Sequence, residues 1–184
     1  GSTVGDWRRR GKYLMAELQP DRSVWGVHLR MTGQFQWHAT PADPCPHTRV
    51  RFWNAAEEEL RFVDVRSFGE MWWVPPGCPT EQVISGLSRL GPEPFSSVFT
   101  STYLQQRLKG RSRPIKTALL DQGLVAGVGN IYRSEILWRQ KIHPQTPGKE
   151  ISQTTFNRLW ADAKYLLELG VKHNAIITID KEKP

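Results

Sequence analysis

The spacing of the apolar residues changes once along the chain, and this change constrains the fold more than any other feature. Up to residue 74, apolar and polar residues alternate, as they do at Trp25, Val27, Leu29 and Met31. A period of two predicts β-strands. Beyond Thr80 the apolar residues recur every three or four positions, which is typical of helices. The chain is therefore expected to be α+β, with its strands first and its helices second.

The strands are predicted at residues 13–18, 23–31, 34–38, 49–53, 60–65 and 71–74, in an antiparallel sheet or sandwich that ends near Pro75. Helices are predicted at 80–90, 100–109, 114–121, 130–140 and 152–169, with Thr80 and Asn130 as N-caps. The segment 173–180 is compatible with a further strand. We therefore divide the chain into a partial β-sandwich domain (1–78), a helical domain (79–170) and a divergent tail (171–184).

The charge of the chain favours an anionic partner. Its formal net charge is +7, and the basic residues form two clusters, which makes nucleic acid the leading candidate. The alternative is that each cluster is an ordinary solvated surface. The first cluster contains Arg8, Arg9, Arg10 and Lys12, and the second contains Arg107, Lys109, Arg111, Arg113 and Lys116.

Two classes of protein are disfavoured by composition. The two cysteines, Cys45 and Cys78, are far apart and neither belongs to a CxxC pair. A disulfide framework or a metal site made by this chain alone is therefore not expected. No run of about 18 apolar residues predicts a membrane helix, and the polar, basic start has no signal-peptide pattern.

A glycine-containing turn, Gly127–Tyr132, separates two helical patterns. Glycines let a backbone approach a partner closely, and the free N–H groups at the start of a helix favour a phosphate. This arrangement indicates a site that binds the backbone of a duplex. The alternative is an ordinary helix–helix connection.

Six sequence blocks, in unbroken order between residues 7 and 144, resemble the successive motifs of the formamidopyrimidine-DNA glycosylase family. The segment 71–76 is most similar to cyanobacterial members. The blocks are Arg9–Leu14, His28–Gly33, Asp64–Gly69, Leu90–Pro94, Ile115–Lys116 with Leu119–Asp121, and Gly127–Tyr132.

The resemblance implies a base-excision repair enzyme, a DNA glycosylase with AP lyase activity. Such an enzyme flips an oxidised purine, such as 8-oxoguanine or a formamidopyrimidine, out of the duplex, cleaves the glycosidic bond and nicks the strand. The expected partner is double-stranded DNA containing oxidised purines or abasic sites. The resemblance further implies a helix–two-turn–helix DNA-binding motif, a monomer, and a bacterial cytoplasmic protein associated with the nucleoid.

The resemblance assigns three residues, Met31, Arg66 and Phe68, to filling the void that base flipping leaves. An unbranched thioether and an aromatic ring can wedge between bases, and a guanidinium can hydrogen-bond the orphaned base. The alternative for Met31 and Phe68 is packing in the core.

The remaining assignments are one catalytic residue and a set of backbone contacts. Lys12 matches the family's lysine near the damaged sugar, the alternative being a solvated lysine. Ser67 departs from the family's common Arg-Arg-Phe order, and Arg133 stands where alanine is usual. The residues matched to phosphate contacts or to the second basic patch are His47, Arg111, Arg113, Lys116 and Asn130.

Two parts of the family pattern are not recognised in this sequence. The family's nucleophile is an amino-terminal proline followed by a glutamate, whereas this chain begins Gly1-Ser2-Thr3. The family's four-cysteine zinc (Zn) finger is absent, so no cofactor is expected in this chain. We therefore expect the chain alone to be inactive. Two alternatives are a non-catalytic module that binds damaged duplex and, from the charge alone, an RNA-binding domain.

Overall fold

The computed structural model describes residues 1–40, 43–173 and 175–178 and divides into two compact units, Gly1–Ser88 and Arg89–Pro184. The first unit contains seven described strands, and the second is helical. The expectation of an α+β chain with strands first is confirmed. None of the helices in the described ranges is both long and apolar enough to cross a membrane.

The strands of the first unit form two antiparallel sheets. One sheet has the order β1-β2-β3-β7 and the other the order β4-β6-β5. A short helix, α1 (Thr80–Val83), and a 3-10 turn (Leu87–Arg89) follow them. The strands are β1 (Thr3–Arg10), β2 (Tyr13–Gln19), β3 (Ser23–His28), β4 (Gln34–His38), β5 (Thr48–Trp53), β6 (Glu59–Val63) and β7 (Glu70–Val74).

The two sheets are joined by aromatic side chains, which makes the first unit a sandwich. Trp25 of one sheet lies 5.7 Å from Phe35 and 4.9 Å from Phe52 of the other, measured between ring centroids. Phe35 in turn lies 5.4 Å from Phe62. These residues are on the alternating apolar face that the period of two predicted.

The strands differ from the sequence prediction in two places, and one predicted segment is not a strand. β3 ends at His28, so the predicted end of this strand at residue 31 is wrong. β1 was not predicted, because a register irregularity between Val4 and Trp7 interrupts its alternation and three arginines fill its end. The segment 173–180 contains no strand among its described residues. His173 ends a helix and residues 175–178 are irregular, while Asn174, Ile179 and Asp180 lie outside the described residues.

The second unit contains four helices in its described part: α2 (Ser101–Leu108), α3 (Ile115–Ala118), α4 (Asn130–Arg139) and α5 (Gln153–His173). α5 supplies the largest buried stripe, in which Phe156 and Leu159 are fully buried. The stripe continues through Trp160, Ala163 and Leu166, which are also buried and recur at the helical period. In the first unit, the predicted helix 80–90 is wrong in its extent, because α1 ends at Val83. Its predicted N-cap, Thr80, is also wrong, because Pro79 occupies that position and Thr80 is the first helical residue.

A buried ionic cluster lies in the three-stranded sheet. The Glu59 side chain is fully buried and accepts hydrogen bonds from Arg61, at 2.8 Å, and from Arg51. These two hydrogen bonds, that from Arg61 first, lower the pKa of Glu59 from 4.5 to about 2. The guanidinium of Arg51 also lies 4.8 Å from the ring centre of Trp53. The carboxylate is therefore ionised in the folded protein at every pH above about 2.

This cluster predicts a defined dependence of stability on pH. Because the folded-state pKa of Glu59 is depressed, its contribution is complete above pH 4.5 and is lost as the pH falls toward about 2. The variant Glu59→Gln cannot titrate there. We expect it to be less stable than the native chain at pH 7, and its melting temperature to fall less steeply below pH 4.5. Thermal unfolding followed by circular dichroism at several pH values checks this.

The neighbouring Glu57, which is exposed, provides the matched control. Glu57→Gln removes the same charge and is expected to keep the native slope. Identical slopes for the native chain and Glu59→Gln would contradict the account.

Candidate nucleic-acid interface

One end of the four-stranded sheet brings together residues that are distant in sequence. Tyr13, His28 and Glu70 are neighbours across β2, β3 and β7 at this end. Lys12 comes immediately before Tyr13, in the two-residue turn that joins β1 to β2. The loop after β3 begins here, and the loop before β7 ends here. We call these loops, residues 29–33 and 64–69, the wedge loops, and Met31, Arg66 and Phe68 the wedge residues.

The wedge loops are fastened to each other by the buried side chain of Asp64. Its carboxylate accepts a hydrogen bond from the Thr32 hydroxyl in the first loop. In its own loop it accepts from the backbone N–H of Gly69, at 2.7 Å, and of Arg66, at 3.2 Å. Asp64 is fully buried, and these bonds, that from Thr32 first, lower its pKa. The carboxylate therefore remains ionised and bonded at neutral pH.

Local backbone geometry shows why the second wedge loop depends on this anchor. Ser67 has a φ of 56°, a left-handed conformation that costs a non-glycine residue roughly 1 kcal/mol. Gly69 packs so closely on Phe62 that an added Cβ would lie 2.4 Å from the ring. The departure of Ser67 from the family pattern thus falls at a strained position between Arg66 and Phe68.

The wedge residues are held at the surface. Met31 is 69% exposed and Phe68 is 54% exposed, so the alternative that they belong to the core is wrong. The guanidinium Nη1 of Arg66 lies 3.3 Å from the Met31 sulfur. This arrangement is suited to contact with a partner that has apolar faces and hydrogen-bond acceptors.

His47 is joined to the same region by its backbone. Its carbonyl accepts the N–H of Asp64 at 2.9 Å, and its side chain is exposed. Arg49 also supports this region, since its Nε donates to the Asp64 carbonyl at 2.8 Å. The structure therefore gathers five of the predicted site residues at one end of the first unit: Lys12, Met31, His47, Arg66 and Phe68.

Lys12 lies in a two-residue turn beside His28, a histidine that the sequence analysis did not single out. Arg9 donates to the carbonyl of Gly11 at 2.8 Å. Although the Lys12 residue is exposed as a whole, desolvation by nearby atoms lowers the pKa of its amine. Burial and then the charge of Arg30 lower the pKa of His28, so its ring is neutral at pH 7. His28 begins one of the six sequence blocks, and that was the only signal for it.

In the second unit, the side chain of Gln122 organises the glycine-containing turn. Its amide NH2 donates to the carbonyls of Leu120, at 3.0 Å, and Val128, at 2.9 Å. Its amide oxygen accepts the N–H of Gly127 at 3.0 Å. Gly127 has a φ of 93°, which favours glycine over residues that carry a Cβ. The half-buried side-chain amide of Gln122 therefore holds the backbone of the turn in one conformation.

The basic run before this turn contains residues in different situations. Arg113 donates to the Asp121 carboxylate at 2.6 Å, and Asp121 also accepts the N–H of Gly123 at 2.9 Å. Burial raises the pKa of Asp121, but the bonds from Arg113 and Gly123 outweigh it and hold the pKa below its ordinary value. Arg113 thus braces the start of the turn, whereas the Arg111 residue is exposed and Lys116 is half-buried.

The predicted N-cap of α4 is wrong. Gly129 occupies that position in an extended conformation, and no side chain caps the helix. Asn130 is instead the first helical residue, and its side-chain oxygen accepts a hydrogen bond from Arg133. The exposed Asn130 side chain and the uncapped N–H groups thus lie together at the helix start.

The described residues do not fit a metal centre. Within residues 1–40, 43–173 and 175–178, no three His, Cys, Asp or Glu side chains are grouped so that they could hold an ion. Cys45 and Cys78 are both free thiols.

Comparison with known proteins agrees with the two units. Residues 1–71 match the model of the formamidopyrimidine-DNA glycosylase N-terminal domain, and residues 90–182 match that of the formamidopyrimidine-DNA glycosylase H2TH domain. The formamidopyrimidine-DNA glycosylase of Parasynechococcus marenigrum is 64% identical over 159 residues, which cover 86% of this chain and 57% of that protein. The chain thus spans less than two thirds of the length of this relative.

Solved structures show the same similarity. The Lactococcus lactis enzyme bound non-covalently to DNA containing an AP site is 32% identical with a TM-score of 0.84, covering 95% of this chain and 66% of that one. The same enzyme in complex with FAPY-dG-containing DNA gives a TM-score of 0.85, with 32% identity and coverage of 95% and 64%.

The fold and the matched domains define a chain of the glycosylase type, in which a β-sandwich domain precedes an H2TH domain. The chain belongs to the formamidopyrimidine-DNA glycosylase family.

The role of Asp64 as the anchor of the wedge loops can be tested without DNA. In Asp64→Asn one of the two accepting oxygens becomes an NH2 group, so whichever way the amide turns, the backbone N–H of Gly69 or that of Arg66 faces a second donor. We expect the Gly69 or the Arg66 amide to exchange its proton about 10-fold faster than in the native chain. Hydrogen exchange followed by NMR measures this.

Asp21→Asn is the matched control. Asp21 likewise accepts a backbone N–H two residues on, from Ser23 at 3.0 Å, but in the turn at the other end of the sheet. That variant should leave the exchange of Gly69 unchanged. Unchanged exchange in Asp64→Asn would show that the loops do not depend on the carboxylate.

Proposed function

We propose that the chain is the DNA-binding part of a base-excision repair glycosylase with AP lyase activity, acting on duplex DNA that contains oxidised purines or abasic sites. The observation that carries the proposal is the set of exposed wedge residues on loops fastened by Asp64. Ordering such side chains before binding reduces the entropy cost of inserting them into a duplex. Insertion beside a lesion fills the space that the flipped nucleotide leaves.

Each wedge residue suits a part of that task. The Phe68 ring and the Met31 thioether offer apolar surface for contact with unstacked bases. The Arg66 guanidinium offers donors to the edge of the base opposite the lesion. Lys12 lies in the two-residue turn at the same end of the sheet. We propose that it contacts the sugar or phosphate of the damaged nucleotide as the catalytic lysine. His47 is proposed to bind a neighbouring phosphate.

The second unit is proposed to bind the sugar–phosphate backbone. The uncapped start of α4 presents N–H groups, and Asn130 lies beside them. Arg111 and Lys116 add positive charge, while Arg113 contributes chiefly by bracing the turn through Asp121. We propose that the helical domain predicted at 79–170 contains the helix–two-turn–helix DNA-binding motif, and that the protein acts on the bacterial chromosome in the cytoplasm as a monomer. Any zinc site of the whole protein is proposed to lie outside the described residues.

The proposal predicts that Arg66 matters more for damaged DNA than for intact DNA. Arg66→Ala should weaken binding to a duplex with one tetrahydrofuran abasic-site analogue by about 1–3 kcal/mol. Binding to the undamaged duplex should change much less, because every base there is paired and none is left for Arg66 to bond. Fluorescence anisotropy with both duplexes measures the two affinities.

Arg22→Ala is the control, since Arg22 is 76% exposed and lies in the turn at the other end of the sheet. It removes one positive charge and should affect both duplexes slightly and equally. Equal losses on both duplexes for Arg66→Ala would make Arg66 a phosphate contact only. A native chain with no preference for the abasic duplex would count against the proposed function itself.

A further inference from the structure

Arg133 is folded back along the first turn of α4 and is bonded to the side chain of Asn130. The two residues are three apart and therefore share one face of the helix. The Nη2 of Arg133 donates to Asn130 Oδ1 at 2.5 Å and to Ser134 Oγ at 3.0 Å. Its Nε is buried and meets no acceptor in the part of the chain that the structure describes. The guanidinium is therefore held against the helix.

This contact determines which end of the Asn130 amide faces outward. An asparagine amide has one oxygen that accepts and one NH2 that donates, on opposite sides of a planar group. Because Arg133 occupies the oxygen, the NH2 is left to donate to a partner. A phosphate oxygen can only accept, so the amide presents to it the one group that can bind it. If the amide were free to rotate, its oxygen would face the phosphate in a fraction of the molecules.

The position of Arg133 is unfavourable for the isolated helix. A cation in the first turn opposes the positive end of the helix dipole. The hydrogen bonds to Asn130 and Ser134 offset that cost, and a bound anion at the helix start would remove it. The charge of Arg133 therefore fits a helix start that is occupied by an anion in the working protein.

We propose that Arg133 is a positioning residue for phosphate binding, which fixes the Asn130 amide with its NH2 outward at the start of α4. The inference rests on the proposed function, in which this helix start contacts the DNA backbone. Arg133 acts through Asn130 and does not itself contact the phosphate. The ligand that the pair recognises is a phosphate of the duplex backbone, independent of base sequence.

A double-mutant cycle on the full chain tests this inference. The affinity for the abasic-analogue duplex is measured by anisotropy over a series of KCl concentrations. Asn130→Ala should weaken binding about 10-fold, as expected for a lost bond to a charged acceptor. Arg133→Ala should weaken binding about 5-fold, and the double variant should bind no more weakly than Asn130→Ala alone. Because Arg133 makes no phosphate contact, Arg133→Ala should leave the slope of log K against log salt unchanged.

Two further variants separate position from charge. Arg133→Lys keeps the charge but cannot reproduce the two bonds of the guanidinium, so it should remain about 3-fold or more below the native affinity. Arg158→Ala removes one charge from an exposed site on α5 and should change the affinity less than Arg133→Ala. Circular dichroism melting of every variant shows whether the fold is retained.

Three results would overturn the inference while leaving the proposed function intact. They are native affinity in Arg133→Ala, full recovery in Arg133→Lys, and a loss that persists in the Asn130→Ala background with a salt slope smaller by about 0.9, the value for one phosphate contact. Failure of the native chain to bind either duplex would instead overturn the proposed function, and the inference with it.

Discussion

The hydrogen bonds of one buried carboxylate, Asp64, hold the two wedge loops of the first unit together. The loop 29–33 carries the chain from the four-stranded sheet to the three-stranded sheet, and the loop 64–69 carries it back. Asp64 bonds both, through Thr32 in one and Gly69 in the other. The same group therefore closes one end of the sandwich and fixes the loops that present Met31 and Phe68. Apolar contacts of Met31 and Phe68 do not do this, because both side chains are exposed.

The second unit uses a neutral amide for the same purpose. Gln122 bonds three backbone groups, one before the glycine-containing turn and two within it, much as Asp64 does for its loops. In each case a polar side chain satisfies backbone groups that regular structure leaves unpaired. The local surface is thereby fixed before any ligand arrives. In the first unit it presents Arg66 with apolar side chains, and in the second it presents Asn130 with uncapped N–H groups.

The sequence predicted six of the seven described strands, because apolar and polar residues alternate along them. β1 escaped prediction because the irregularity between Val4 and Trp7 breaks its period. Alternation alone would have placed Met31 on the buried face of Val27, and only the family resemblance assigned it to the surface. The contacts of Asp64 could not be predicted from spacing, since Thr32 lies 32 residues away. Asn130 was wrongly assigned as an N-cap because its side chain is engaged by Arg133.

The central claim is that the wedge residues enter the duplex beside a lesion, and base unstacking tests it most directly. The fluorescent base 2-aminopurine, placed opposite a tetrahydrofuran abasic-site analogue, brightens when it loses its stacking neighbours. The account predicts a saturable rise in fluorescence when the native chain binds, and a much smaller rise when Phe68→Ala binds to the same extent. If the native chain binds this duplex, as followed by anisotropy, without any change in the fluorescence of the base, the wedge does not enter the stack and the account is contradicted.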